Sequence, residues 1–196
     1  DVGTPKGEKR YRRLAFESFV AATLGYSLYY VCRTSLNVMK KPIIDSGFLD
    51  AAELGVIGSA LLFAYAIGKA VNGFVCDYCN IKRFMATGLA VSLTVNLTMG
   101  LLGFVDSAVP TAVIFAIFIV LWAINGWSQS MGSPPAIISL SRWFPLSRRG
   151  TFYGIFSASH NLGEFFSFLF VGNVVLAAGW QWGFVGSAVA GAIGVT

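Results

Sequence analysis

An all-α membrane protein built on six transmembrane helices is what this sequence predicts, and three observations predict it. The 196 residues are 56% hydrophobic and only 12% charged, with a mean hydropathy of +0.69. A soluble domain carries about 25% charge, so so much apolar surface cannot all enter one water-bounded core. The apolar residues fall in runs long enough to cross a bilayer, which takes about 20 of them. The charged residues between the runs alternate in sign from one loop to the next.

Taken in order, the runs are as follows. A basic arm over 1–15 precedes the first span, Phe16 to Val38. The polar stretch "KKPIIDSGFLDAAE" separates it from the second, Leu54 to Val75. "DYCNIKR" leads to the third, Phe84 to Val105, and "DSAVP" to the fourth, Thr111 to Gly132. "SRWFPLSRR" leads to the fifth, Gly150 to Ala178, and a sixth starts near Trp180. The sequence opens without Met and stops inside an apolar segment, so the chain is expected to be part of a longer one, with its six-helix bundle over 16–196 truncated in the last helix. "GSPP", Gly132 to Pro135, is expected to kink span four, because Pro removes a backbone donor. Glycines at helical spacing, Gly55 with Gly58, Gly68 with Gly73 and Gly183 with Gly186, are expected to let helices approach closely.

Loop charge gives an orientation. Lys6, Lys9, Arg10, Arg12 and Arg13 lie before span one, Lys82 and Arg83 after span two, and Arg142, Arg148 and Arg149 after span four. The other side has Lys40 and Lys41 beside Asp45, Asp50, Glu53 and Asp106. Basic loops stay in the cytoplasm, so the N-terminus is expected there, in a multi-pass plasma membrane. The net charge of +5 is thus a topology signal, and no basic soluble face exists to hold nucleic acid.

Several classes are excluded. Three cysteines, Cys32, Cys76 and Cys79, are an odd set with no disulfide framework, and one His with them makes a zinc site a poor reading. No nucleophile–base pair, phosphate-cradling loop or metal-ligand cluster stands out, so neither an enzyme nor a cofactor is expected.

The informative residues are the charges inside spans, which cost at least about 2.5–3.5 kcal/mol at mid-helix. Arg33 shares a face of span one with Tyr26, Tyr30 and Asn37. Its planar fork suits phosphate or carboxylate, although snorkelling or a structural ion pair would also explain it. Lys69 shares a face of span two with Tyr65 and, by spacing, Asn72; its alternative is an ion pair with Glu164. His160 and Glu164 stand four apart on span five, with Ser157 on the same side. His160 can donate to an oxyanion, and Glu164 can balance Arg33 or Lys69, or the two can pair structurally. Asn125 and Gln129 on span four are either interhelical glue or cavity lining. Cations and a His converging between helices describe a site for a multivalent anion.

These motifs resemble the N-terminal half of a twelve-helix major facilitator superfamily transporter. "GFVCDYCNIKR" is similar to that superfamily's loop between spans two and three, with Gly73, Asp77 and Arg83 at the pattern positions. "GYSLYYVCRTSLNV", "AYAIGKAVNGFVCD", "MGSPPAIISLSRWF" and "RRGTFYGIFSASHNLG" resemble, in order, four segments of the organophosphate:phosphate antiporter family. The resemblance implies exchange of an organophosphate, hexose phosphate favoured and glycerol 3-phosphate the next choice, for inorganic phosphate by alternating access. It implies that Arg33 binds phosphate together with a second Arg from the missing C-terminal half. Lys69 and His160 would support it, Tyr26, Tyr30 and Tyr65 would line the path, and Asp77 with the basic loops would gate it. One branch of the family instead senses external hexose phosphate beside a histidine kinase, using the same residues. The chain departs from the pattern at Glu164, where a second Gly is usual, at Phe156-Ser157, where Trp-Asn is frequent, and at Tyr78, where Arg is usual.

Overall fold

The computed structural model describes residues 5–105 and 109–195; Asp106, part of the loop-charge argument, lies outside them. Among the described residues every regular element is helical. The first, α1 (Pro5–Asp45), is 41 residues long. At 1.5 Å per residue it runs about 60 Å, roughly twice the bilayer's hydrocarbon thickness. The basic arm is therefore the first turns of the same helix that carries span one. The arm is tied down where the Tyr11 hydroxyl donates to the Trp143 carbonyl at 2.7 Å.

The turns show why the helices stop where they do. Past the end of α1, Gly47 adopts φ 70°. The N–H groups of Gly47 and Phe48 reach back to the carbonyls of Ile44 and Ile43, closing a Schellman cap that needs glycine's freedom. Asp50 and Glu53 then form a reciprocal capping box that starts α2 (Ala51–Tyr78). Asn80 accepts from the Arg83 N–H and starts α3 (Ile81–Leu102). The "GSPP" segment breaks the fourth span into α4 (Thr111–Gln129) and α5 (Ser133–Trp143). The prolines sit in the first turn of α5, where a missing N–H is harmless, so the expected kink is a stop and restart. Arg149 donates to the carbonyls of Phe144 and Ser141, closing the far end of α5. The fifth span is α6 (Leu146–Phe166), a π turn over Ser167–Val171 and α7 (Gly172–Ala178). Gly179, at φ 96°, turns the chain into α8 (Trp180–Ile193).

These elements make six helical columns. Four are long and apolar enough to cross a membrane: Ala51–Tyr78, Ile81–Leu102, Thr111–Trp143 and Leu146–Ala178. The α8 column has 14 residues and is too short to qualify. The α1 column carries Ser, Thr, Tyr, Asn and Arg along its faces, and its place in the bundle accounts for that polarity. It contacts every other element, and Tyr29, Cys32, Ser35, Leu36 and Met39 on it are buried.

Small residues set the closest approaches, but mostly not the expected ones. A Cβ on Gly126 would overlap the Leu61 backbone across α2–α4, and one on Gly163 would overlap the Ser27 carbonyl across α1–α6. Gly68 and Gly183 are packing glycines as expected, whereas Gly55 and Gly73 face open space and Gly58 and Gly186 are only loosely met. Periodicity marks a face without saying what covers it.

Polar side chains join the inner helices. Asn125 and Gln129 are fully buried glue: Ser92 donates to the Asn125 amide oxygen, and Gln129 Nε2 donates to Ser92 Oγ at 2.7 Å. Asn96 Nδ2 donates to the Cys32 carbonyl at 3.1 Å, and Asn96 Oδ1 accepts from Ser35 Oγ at 2.6 Å. The set links α1, α3 and α4.

Candidate anion-binding site

Arg33 sits on α1 at the point where α2 and α6 approach it. Its guanidinium carbon lies 4.3 Å from the centre of the Tyr65 ring and 5.5 Å from that of Tyr30. The Lys69 Nζ is 5.2 Å from the same ring centre. Tyr65 therefore gathers two cations at one aromatic ring. Tyr30 continues the wall: its ring is 5.5 Å from the His160 imidazole and meets Tyr26 edge-on at 5.3 Å. Tyr26 in turn stacks on Phe156 at 4.9 Å. Three helices thus bring Arg33, Lys69 and His160 around one aromatic cluster.

Cation–π contacts hold a charge by about 0.5–2 kcal/mol without neutralising it. Among the described residues the ion pairs are Arg12–Glu8, Arg13–Glu17 and Lys41–Asp45, all exposed and all i,i+4. None involves Arg33, Lys69, His160 or Glu164. The alternatives of a Lys69–Glu164 pair and a His160–Glu164 pair are therefore not formed in this structure. Two cations at one aromatic ring, with no carboxylate at ion-pair distance among the described residues, make a field suited to an anion.

Beyond Arg33 the site opens into a cavity of about 390 Å³, lined by Arg33, Asn37, Lys40, Ser59 and Glu164 among others. A larger cavity of about 610 Å³ lies between α1, α3 and α5, walled by residues such as Gly25, Met85, Leu89 and Ala136. It touches none of the intramembrane ionisable residues, so its size carries no functional weight here.

Ser157 is half-buried on α6, three residues before His160, with no side-chain contact to the cluster among the described residues. Asp77 and Arg83 flank the α2–α3 turn and are exposed, whereas Gly73 lies inside α2 one turn after Lys69. Asn72 is a correction. It does not share the Lys69 face but is buried, donating to Ser130 Oγ at 2.6 Å. Sequence reading missed Lys40 as a cavity residue and Ser92 with Asn96 as buried glue. A signal for the last two existed, since they repeat on span three the i,i+4 polar spacing of Asn125 and Gln129.

Arg33, Lys69 and His160 thus meet at one aromatic cluster inside a bundle of apolar helices. The sequence profile of the Major Facilitator Superfamily matches residues 22–196, and the chain belongs to that superfamily. It is similar to a probable hexose phosphate transport protein of Chlamydia muridarum, 37% identical over 175 residues, covering 89% of this chain and 36% of that one. It is similar to the glycerol-3-phosphate transporter of Bacillus subtilis, 35% identical over 158 residues, covering 81% of this chain and 34% of the relative. It is also similar to the membrane sensor protein UhpC of Salmonella typhimurium, 34% identical over 190 residues, covering 96% and 40%. These are the relatives that the sequence motifs pointed to, and the chain spans 36% of the length of the first of them. Among solved structures, the proton:xylose symporter XylE superposes with a TM-score of 0.77 at 16% identity, covering 92% of this chain and 43% of that one. At that identity the likeness is one of fold.

Proposed function

We propose that the protein containing this chain carries a phosphorylated organic anion across the membrane, with hexose phosphate favoured, in exchange for inorganic phosphate. The observation that carries this reading is Arg33 held on Tyr65 beside Lys69, with no carboxylate at ion-pair distance among the described residues. A phosphate dianion supplies the missing negative charge, and the guanidinium fork accepts it in two parallel hydrogen bonds. His160 adds a donor beside Tyr30, and Tyr26, Tyr30 and Tyr65 shape the approach. Asn37, Ser157 and Glu164 complete the set on the same two helices, with Glu164 balancing charge when the anion leaves. Gly73, Asp77 and Arg83 belong to a gate at the α2–α3 turn. The relatives named as hexose phosphate and glycerol-3-phosphate transporters support this substrate class. In this reading a further six helices complete the site with a second arginine. The basic ends of α1, α3 and α5–α6 face the cytoplasm, in a bacterial inner membrane.

A second reading is favoured by one finding. The alignment to UhpC covers 96% of this chain, against 89% for the hexose phosphate relative. In that reading the site binds external hexose phosphate and signals to a histidine kinase. Counterflow in liposomes separates the two, using the protein at its natural length. Rapid exchange of labelled phosphate for glucose 6-phosphate supports the carrier. Binding of glucose 6-phosphate with no exchange supports the sensor, and neither binding nor exchange removes both.

A further inference from the structure

Glu164 is the one group in the 390 Å³ cavity whose charge opposes the rest of the site, because Arg33 and Lys40 line the same space. A carboxylate there repels any second anion on the ligand and accepts hydrogen bonds from donors on it. The other hydrogen-bonding groups narrow what those donors are. The Thr34 hydroxyl donates to the Tyr30 carbonyl and the Ser59 hydroxyl to the Gly55 carbonyl, so both donors are engaged within their own helices. Asn37 is exposed to the cavity, and its side chain makes no hydrogen bond among the described residues. A carboxylate and an amide beyond a guanidinium match a phosphate monoester whose tail carries several hydroxyls. The cavity volume lies in the range of about 300–1,000 Å³ usual for small-molecule sites.

We propose that Glu164 is a specificity-determining residue: it accepts hydrogen bonds from the hydroxylated tail of a phosphomonoester bound at Arg33, and it rejects phosphomonoesters whose tail carries a carboxylate. The proposal rests on the reading of Arg33 as the phosphate site. It separates a sugar phosphate, with a neutral tail, from a phosphoglycerate, whose tail is a second anion. The structure sets no cation at ion-pair distance from Glu164 among the described residues.

The test is competition in proteoliposomes holding the natural-length protein, read as inhibition of labelled glucose 6-phosphate uptake. Glycerol 3-phosphate and 3-phosphoglycerate are the competitors, since they share the phosphate and differ in the carboxylate. Wild type is expected to prefer glycerol 3-phosphate to 3-phosphoglycerate by about tenfold or more, the scale of one charged contact. Glu164→Gln is expected to narrow that gap about tenfold and to weaken glucose 6-phosphate. Glu164→Asp, which keeps the charge, is expected to keep the gap. An unchanged gap in Glu164→Gln overturns the role of Glu164 while leaving the carrier reading intact. Should Glu164→Gln not fold, wild type decides: equal competition by the two compounds overturns the proposal. A wild type that neither binds nor takes up an organophosphate overturns the carrier reading and this proposal together.

Discussion

Arg33 places a planar guanidinium inside an apolar span, so the question at the level of the residue is what that group faces. It faces two aromatic rings, with no carboxylate at ion-pair distance among the described residues, and the ring of Tyr65 sets the distance to Lys69. If the ring positions the cations, Tyr65→Phe is expected to keep most of the phosphate affinity and Tyr65→Leu to lower it about threefold or more. Equal affinity in Tyr65→Leu and wild type, in equilibrium binding, would contradict that role. Charge and helical spacing made Arg33, Tyr65, Lys69, Tyr30 and His160 legible in the sequence, because a charge in an apolar run has few bland explanations. Asn72 was illegible by the same rule. Three residues from Lys69 is a 60° offset on the helix, enough to turn an amide from a shared face to the buried stripe, where it meets Ser130.

The elements hold the site through close approach and buried polar contacts rather than through a water-driven core. Where Gly126 meets the Leu61 backbone, α2 is fixed against α4, and where Gly163 meets the Ser27 carbonyl, α6 is fixed against α1. Gly126→Ala is expected to cost about 1–3 kcal/mol and to lower the melting temperature in detergent. Gly154→Ala, with nothing within 4 Å, is expected to change stability by less than about 0.5 kcal/mol. A Gly126→Ala protein as stable as Gly154→Ala would refute the packing account. The glycine pattern on α2 could not forecast this, since Gly55, Gly58, Gly68 and Gly73 look alike in sequence and only Gly68 is pressed against a neighbour. Asn125→Leu breaks the contacts to Ser92 and to the Cys32 carbonyl, with an expected loss of about 0.6–2 kcal/mol. Unchanged chemical denaturation of that variant would show the network to be idle. Element ends were less legible than element existence: span one was expected over Phe16 to Val38 and is a helix over Pro5–Asp45, and the expected kink at GSPP is a stop and restart.

The molecule as a whole is a bundle in which one polar helix, α1, touches every other element while the apolar columns stand around it. That placement was hidden from sequence, because the first span is the least apolar of the long columns and gives no sign of being central. Its exposed apolar surface is large on α2, where Phe63 and Phe74 are each 76% exposed. Such a surface belongs against lipid or further helices, not water. Topology at this scale follows from the basic loops. A cysteine at Lys82, with Cys79 replaced, is expected to resist an impermeant thiol reagent on intact bacteria, whereas one at Asp50 is expected to react; the reverse pattern would invert the assigned orientation. In the proposed function Arg33 holds phosphate through its fork. The most direct measurement is equilibrium phosphate binding by the natural-length protein and its Arg33→Lys variant in detergent. Binding in Arg33→Lys is expected to be at least about tenfold weaker, since charge is kept and the bidentate geometry is lost. Equal affinity in the two proteins would contradict it.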